Sequence, residues 1–432
     1  MIPLRAHAGR RVCVLSLEGA GLTAARALQA GGAEVTVWDR EPARRAEAEA
    51  AGLVVEEPTT RDWSDLAALV VGDERLLEED PAPRLIDLGR ALDLPILTAD
   101  AALAEGYGGS QSLFMAALGR QARAALDVTR HLLRENGRRV LGPQPPATLR
   151  DPAPGSVLLS AFKAPPEPRP TGLCLLNGAG ATSALRPLME GASGPVVLSA
   201  DDPAVRRLSV ASMRRALLVS GRSTLSRGVF AAGGRLFDAL DGRARQAAVL
   251  GGEDGLAGAH PLALAAGYGL ARGLGVPFEA ARDGLSTYLG CPGHGARLSR
   301  LGPLVLTDWS SAQDPHTVLD ALSAAGPAIW LAGPSVDPKI PALLEAGGKI
   351  PVAAIFTGDR RRARRKLARL CPVHVERDLT SAAAMAVHAG VRAGPGAVII
   401  YAPGGPAPNG AAQDMRTAFD ALLDRARQGD AA

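Results

Sequence analysis

The chain has 432 residues with 48 basic and 44 acidic side chains, a formal net charge of +4, and this length predicts two or three domains rather than one core. Hydrophobic residues make up 47% and charged residues 21% of the sequence, as in soluble globular proteins. No apolar run is long enough to span a membrane, and the first ten residues lack the apolar segment of a signal peptide, so we expect a cytoplasmic location. The four cysteines lie far apart without a CxxC pair, which predicts neither a zinc site nor a disulfide framework.

Strand and helix patterns alternate from the start of the chain. "RVCVLSL" and "EVTVWD" read as buried strands, and "GLTAARALQAGG" between them reads as a helix with a glycine stop. "VLLSAF", "GLCLLN" and "PVVLSADD" continue the pattern, and a helix is predicted from His260. This alternation predicts an α/β fold with doubly wound parallel sheets.

The last third of the chain repeats this organisation. The strands are "PLVLTDW", "AIWLAG", "VAAIFTG" and "GAVIIYAPGG", and helices are predicted to start near Asp314, Pro338, Asp359 and Gln413. We therefore predict three consecutive α/β domains, with boundaries at residues 1–105, 106–293 and 294–432.

The segment around Gly119 has the layout of a phosphate-binding loop. A buried strand, a glycine and an amphipathic helix follow one another, so backbone N–H groups and the helix N-terminus would favour an anion. However, the loop reads "GRQARA", and no lysine occurs before Lys163. Two interpretations of Arg120 and Arg123 stay open. They are solvated first-turn residues, which the sequence favours, or they hold an anion that the helix dipole also attracts.

A run of basic residues lies between Asp359 and Leu370. The partner-binding candidates in it are Arg361, Arg362, Arg364, Arg365 and Lys366. Such a run is usually a solvated helix face, but its density favours an acidic partner. Nucleic acid is not expected, because aromatic residues are only 3% of the chain and do not alternate with basic residues as a base-stacking surface requires.

Several segments, taken together in chain order, resemble the Mur ligase family, and most closely its D-glutamate-adding members. They are "RVCVLSLEGAGLTAARALQAGGAEVTVWDREPARRAEAEAAG", "LPILTADAAL", "RHLLRENGRRV", "SADDPAVRRL", "GVFAAGGRLF", "GAHPLALAAGYGLARGLG" and "GCPGH". The resemblance implies a Rossmann-like domain that holds a uridine diphosphate, a central ATPase-like domain with a P-loop, and a Rossmann-like C-terminal domain. It also implies an ATP-dependent amide-forming reaction through an acyl phosphate, with a UDP-N-acetylmuramoyl precursor as substrate.

The central loop departs from the family pattern at several positions. The family's loop resembles Gly-Thr-Asn-Gly-Lys-Ser/Thr, whereas this chain has Ala122 at the second glycine, Arg123 near the lysine and no hydroxyl. The counterparts of the family's metal-holding glutamate, Asp-His pair and carbamylated lysine lack those residues. We therefore expect no metal site. The resemblance implies ATP and Mg²⁺ as cofactors only if arginines have replaced the lost groups.

Further candidates follow from the resemblance alone. Asp308, His294 and Arg297 are the catalytic candidates near the family's C-terminal motifs, and His260 joins Gly119, Arg120 and Arg123 as a nucleotide or phosphate candidate.

The N-terminal diphosphate site would involve a different set of residues. These are Ser16, Glu18, Gly21 and Asp39. A carboxylate such as Glu18 stabilises a helix N-terminus but repels a diphosphate at the same place.

Three functions remain open from the sequence. The first is a non-catalytic Mur-ligase-like protein that binds or scaffolds other cell-wall synthesis proteins. The second is a diverged ATP-dependent D-glutamate ligase that uses Arg120, Arg123, Asp308 and Arg297. The third is a nucleotide-sugar sensor, for which replacing Glu18 with glycine should change affinity.

Overall fold

A computed structural model describes most of the chain. The described residues are 3–18, 20–58, 63–73, 75–78, 84–99, 101–103, 113–142, 156–162, 170–178, 182–211, 216–250, 256, 259–301, 304–324, 326–333, 336–357, 361–405 and 414–422. The chain divides into two compact units. The first comprises Met1–Leu118, Gly137–Cys174 and Gly180–Pro195, and the second comprises Gly119–Asn136, Leu175–Ala179 and Val196–Ala432.

The first unit begins with a parallel sheet of order β3-β2-β1-β4-β5. Its strands are β1 (Arg11–Leu15), β2 (Glu34–Trp38), β3 (Val54–Val55), β4 (Leu66–Val71) and β5 (Ile96–Thr98). The helices are α1 (Gly21–Ala30), α2 (Pro42–Ala50), α3 (Arg75–Glu78) and α4 (Arg84–Ala91). Strand β1 is buried in four of its five residues, as its unbroken apolar run predicts.

The rest of the first unit contains a second parallel ladder. Its strands are β6 (Leu113–Leu118), β7 (Val140–Leu141) and β8 (Val157–Phe162), and β8 pairs with both of the others. Strand β9 (Gly172–Leu175) and helix α6 (Thr182–Gly191) follow along the chain. The predicted strands "VLLSAF" and "GLCLLN" are therefore confirmed.

The second unit contains helices and strands of the central part of the chain. The helices are α5 (Ala122–Glu135), α7 (Pro203–Ala211), α8 (Pro261–Gly273) and α9 (Phe278–Ser286). The strands are β10 (Val196–Ser199), β11 (Leu217–Ser220), β12 (Val229–Ala232), β13 (Arg235–Asp238) and β14 (Arg245–Val249). Helix α5 packs closely on α8, because a Cβ at Gly267 would lie 2.3 Å from the carbonyl oxygen of Ala125.

Strands β12 to β14 depart from the predicted parallel alternation. They pair antiparallel, with Ala232 opposite Arg235. The two residues between them, Gly233 and Gly234, have φ angles of 54° and 71°. Two consecutive glycines at positive φ are typical of a tight hairpin turn.

The last part of the second unit has a sheet of order β15-β16-β20-β17-β18-β19, in which only the β15–β16 pair is antiparallel among the described strands. The strands are β15 (Ala296–Leu301), β16 (Leu304–Asp308), β17 (Ala328–Ala332), β18 (Ala353–Phe356), β19 (Val373–Val375) and β20 (Val398–Tyr401). The helices are α10 (Pro315–Ala324), α11 (Ile340–Glu345), α12 (Arg361–Leu367) and α13 (Leu379–Ala393). Trp309, Trp330 and Phe356 fill the core on one face.

The predicted fold class is confirmed, because the described strands form three largely parallel sheets with helices between them. The division into three domains stays a prediction.

Helix α13 was not predicted. The predicted helix start at Gln413 lies outside the described residues, although residues 414–422 are helical. Over the described ranges, no helix is long and apolar enough to cross a bilayer.

Candidate functional site

The loop at Gly119 is a tight turn whose first position is restricted to glycine. Gly119 has a φ of 113°, and a Cβ there would lie 2.8 Å from the carbonyl oxygen of Asn177 and 2.9 Å from that of Leu176. The backbone N–H of Arg120 donates to the same Asn177 oxygen at 3.0 Å. Only glycine fits this position without displacing the chain, so the backbone conformation alone explains why a glycine stands here.

A carboxylate of the same unit accepts hydrogen bonds from the two polar side chains that precede helix α5. Arg120 Nε and Gln121 Nε2 both donate to Asp320 Oδ2, at 3.2 Å and 2.9 Å. Gln121 is 1% exposed and Asp320 is 8% exposed, so this contact is largely shielded from water. Arg120 is exposed, as the solvated interpretation expects, but its guanidinium also has Asp320 as a partner. Its role stays a prediction. The loop's cation already has an internal anion.

The Gln121 side chain has a second property that matters for ligands. Its Oε1 atom is buried, and no group among the described residues donates a hydrogen bond to it. As a carbonyl oxygen it can only accept hydrogen bonds. A phosphate oxygen also only accepts hydrogen bonds. The groups nearest the start of α5, a paired arginine, an acceptor and a carboxylate, are therefore a poor match for a nucleotide phosphate.

Arg123 lies one turn further along α5 and is exposed. The pKa of His294 is lowered to about 4. Burial is the largest cause, the positive charge of Arg123 adds to the shift, and the carboxylate of Asp308 opposes it. His294 Nδ1 lies 3.1 Å from Ser311 Oγ. The structure thus brings three candidate residues into one electrostatic neighbourhood.

Asp308 and Arg297 have structural partners. The two carboxylate oxygens of Asp308 accept backbone N–H groups, from Gly293 at 2.7 Å and from Ser310 at 2.9 Å. Arg297 lies on β15, opposite Thr307 of β16. Asp308 therefore holds the turn before β15 in place, and the catalytic roles of both residues stay predictions.

His260 caps helix α8. Its Nδ1 accepts the backbone N–H of Leu262 at 3.2 Å, and Pro261 occupies the first helical position, where its missing N–H costs nothing. The pKa of His260 is lowered to about 4, chiefly by burial. The carboxylates of Asp320 and Asp201 oppose this shift, and the charges of Arg222 and Arg120 contribute to it. The imidazole is neutral at pH 7 and acts as a helix cap.

We expect His260 to make the protein less stable as the pH falls from about 6.5 to about 4. In this window the unfolded chain binds a proton at His260 that the folded chain excludes, so the free energy of unfolding falls by up to about 1.4 kcal/mol per pH unit. His260→Asn keeps an acceptor for the Leu262 N–H and removes this titration. Urea unfolding across the window should give a shallower pH dependence for His260→Asn. The exposed His316→Asn variant is the control, and equal slopes in all three proteins would contradict the assignment.

Asp201 and Asp202 follow β10 and fix turns. Asp202 accepts the backbone N–H groups of Ala204 and Val205, at 2.8 Å and 3.2 Å, as a cap of α7. Asp201 accepts the backbone N–H of Gly221 at 2.7 Å. These contacts make Asp201 and Asp202 turn and cap residues. No group of three or more histidine, cysteine, aspartate or glutamate side chains is arranged to hold a metal ion within the described ranges.

A cavity of about 500 Å³ lies in the first unit, at the carboxyl ends of β1 and β2. Three of the predicted diphosphate residues line it, namely Ser16, Glu18 and Asp39. The fourth, Gly21, lies beside it, because a Cβ there would be 2.2 Å from the carbonyl oxygen of Ser16. Ser16 itself has a positive φ of 63°, an uncommon conformation for a residue with a side chain.

The charges that line this cavity are paired with one another. Arg44 lies 3.1 Å from Glu18 and 3.1 Å from Glu41, and 3.6 Å from Asp39. Asp39 also accepts the backbone N–H of Leu17 at 2.7 Å, which fixes the turn after β1. Glu18 thus meets a guanidinium at the N-terminal end of α1, an arrangement that resembles an internal replacement for an anionic ligand.

The basic run is found on α12 and the turn after it. Arg365 and Lys366 are exposed and Arg364 is half-buried. The side chains of Arg361 and Arg362 lie outside what the structure describes.

Sequence reasoning missed the residues that neutralise the two loops. Asp320 lies on α10 and Arg44 on α2, both inside helical patterns that carry no motif. Asp320 is separated by 200 residues from Arg120. Only the folded arrangement identifies either contact.

The chain matches no family model. It is 29% identical over 365 residues to the UDP-N-acetylmuramoylalanine–D-glutamate ligase of Caulobacter sp. (strain K31), across 77% of this chain and 78% of that relative. The enzyme of the same name from Phenylobacterium zucineum (strain HLK1) is 29% identical over 376 residues, with the same coverage of both chains. Among solved structures, a UDP-N-acetylmuramate-alanine ligase from Thermotoga maritima shares the fold, with a TM-score of 0.53, 12% identity and coverage of 97% of this chain and 99% of that chain.

Proposed function

We propose that this chain, which belongs to the Mur ligase family, is a non-catalytic member that works in peptidoglycan precursor synthesis as a binding or scaffold protein. The observation that carries the proposal is the Asp320 carboxylate, which accepts from Arg120 and Gln121 at the start of α5. In an active ligase this place must attract phosphate oxygens. A carboxylate that is already bound there repels them.

The donor set around the loop does not fit Mg-ATP. Ala124 supplies no hydroxyl for Mg²⁺, and Gln121 presents a buried acceptor. Phosphoryl transfer depends on positive groups that are preorganised around the developing charge, and losing one such group typically costs about 3 kcal/mol of transition-state stabilisation. Several losses at once support a protein that no longer catalyses this step.

A diverged ligase is the competing function. It requires Arg120 and Asp308 to take part in the chemistry, yet Arg120 is paired with Asp320 and the oxygens of Asp308 hold two backbone N–H groups. These contacts favour the non-catalytic function. A cytoplasmic location and a UDP-N-acetylmuramoyl ligand remain part of the proposal.

A ligase assay tests the proposal. We expect the purified chain, given Mg-ATP, D-glutamate and UDP-N-acetylmuramoyl-L-alanine, to release no phosphate above background, while the Caulobacter relative, assayed in parallel, turns over. Turnover by this chain that disappears in Arg120→Ala would overturn the proposal and establish the diverged ligase. Turnover that survives Arg120→Ala would also overturn it, and would point to a site elsewhere.

A further inference from the structure

The basic surface on α12 and its following turn stands out from the rest of the chain in charge. We define this surface by Arg365, Lys366 and Arg369, all three exposed. The twelve residues from Asp359 to Leu370 contain seven of the 48 basic residues and one of the 44 acidic residues. The remainder of the chain therefore has more acidic than basic residues. The positive charge of the protein is concentrated here.

In the part of the chain that the structure describes, no acidic side chain pairs with the charges of this surface. Within the described residues, Arg365, Lys366 and Arg369 make neither an ion pair nor a side-chain hydrogen bond. Asp378, an acid a few residues further along the chain, is committed elsewhere, because its carboxylate accepts the backbone N–H and the hydroxyl of Ser381 as the cap of α13. The guanidinium and ammonium groups remain available to a partner.

The arrangement also costs stability in the isolated chain. Arg369 lies in the turn that follows α12, where its backbone N–H donates to the carbonyl oxygen of Lys366 at 3.2 Å. The like charges of Arg365, Lys366 and Arg369 are therefore close together along the chain and repel one another. No acidic residue lies in the first turn of α12 to offset the adjacent basic residues. A bound anion would reverse each of these unfavourable terms.

We propose that the basic surface binds a short acidic polypeptide segment of a partner protein. Arginine forks match carboxylates bidentately, which favours aspartate and glutamate side chains as the contacts. Helix α12 has seven residues and is about 10 Å long, a length that suits a few carboxylates. This interaction goes beyond the proposed function and does not depend on it.

Other polyanions fit this surface less well. A long duplex would also meet the net acidic remainder of the chain and be repelled. The basic run has no aromatic residue on which an unpaired base could stack. Leu367, the apolar residue at the end of α12, is fully buried in the core. Among the described side chains of α12, none is both apolar and exposed in the way that entry into a membrane requires.

Titration of a fluorescent polyglutamate peptide with the full-length protein tests this inference. We expect saturable binding that weakens as salt is raised, and a loss of at least about tenfold in affinity for the triple variant Arg365→Gln, Lys366→Gln, Arg369→Gln. The control variant Arg206→Gln, Arg235→Gln, Arg243→Gln removes the same charge from exposed residues elsewhere. It should change the affinity less than about twofold.

Three results would overturn the inference. The first is no binding of polyglutamate by the unmodified protein at low salt. The second is an equal loss in both triple variants, which would indicate a net-charge effect. The third is tighter binding of duplex DNA or of anionic lipid vesicles than of polyglutamate. The single variants Arg365→Gln and Arg369→Gln, each expected to weaken binding partially, decide the matter if the triple variant is unstable.

Discussion

Replacing Asp238 with alanine is expected to lower the free energy of unfolding by about 3 to 5 kcal/mol. The Asp238 side chain is fully buried and its Oδ2 accepts from Tyr268 Oη at 3.0 Å and from Arg272 Nε at 2.9 Å. Burial and the Asp238 charge raise the pKa of Tyr268, so the phenol stays protonated and donates. The variant leaves the buried hydroxyl of Tyr268 without its acceptor. It also removes the anion beside the half-buried guanidinium of Arg272, which keeps only its hydrogen bond to the carbonyl oxygen of Val276.

Urea unfolding of matched variants measures this effect. Asp238→Asn keeps an acceptor for one donor and should be destabilised less than Asp238→Ala. Asp241→Ala removes the acid of an exposed ion pair with Arg245 in the same region and should cost at most about 1 kcal/mol. A loss for Asp238→Ala no larger than the loss for Asp241→Ala would show that the buried network does not hold β13 to α8.

Replacing Asp320 with alanine is expected to create a phosphate-binding site at the start of α5. The variant releases Arg120 and Gln121 from their shared acceptor, and the helix N-terminus then attracts an external anion. We expect saturable binding of inorganic phosphate in the millimolar range by calorimetry, where the unmodified protein gives no saturable heat. The same variant should be destabilised by about 1 to 3 kcal/mol in the absence of phosphate, because Gln121 is buried.

Asp314→Ala provides the matched control for this experiment. Asp314 caps the same helix, α10, by accepting the backbone N–H of His316 at 3.0 Å, so its loss should cost about 1 kcal/mol of stability without a gain of phosphate binding. Phosphate binding by both variants would mean that a destabilised helix α10, and not the loss of the Asp320 carboxylate, causes the gain in phosphate affinity. Phosphate binding by neither would show that the loop has lost anion affinity altogether, independently of Asp320.

The sequence predicted those parts of the fold that depend on local pattern. The apolar run of β1 and the glycine turn at Gly119 follow from burial and from a positive φ, and both signals are local. The hairpin between β12 and β13 was also encoded locally, in Gly233 and Gly234, but the expectation of parallel alternation obscured it. The start of helix α13 is likewise marked locally, by the N-cap residue Asp378.

The contacts on which the proposed function rests could not be predicted in the same way. Asp320 meets Gln121 across 199 residues of sequence, and nothing in the pattern of α10 distinguishes this aspartate from an exposed helical acid. The pairing of Glu18 with Arg44 links α2 to the loop after β1, and it too depends on the packing of the sheet. Contacts of this kind, between residues far apart in the sequence, become visible only in the fold.

Calorimetric titration of the unmodified protein with Mg-ATP, alongside the Caulobacter relative, tests the central claim most directly. Arg120 in the loop already donates to Asp320, and the loop sequence "GRQARA" contains neither a lysine nor a hydroxyl side chain. We therefore predict no saturable heat from this chain at millimolar ATP, under conditions in which the relative binds. Saturable binding of ATP that is lost in the Arg120→Ala, Arg123→Ala double variant would contradict the claim, because it would mean that the arginines have rebuilt a working nucleotide site.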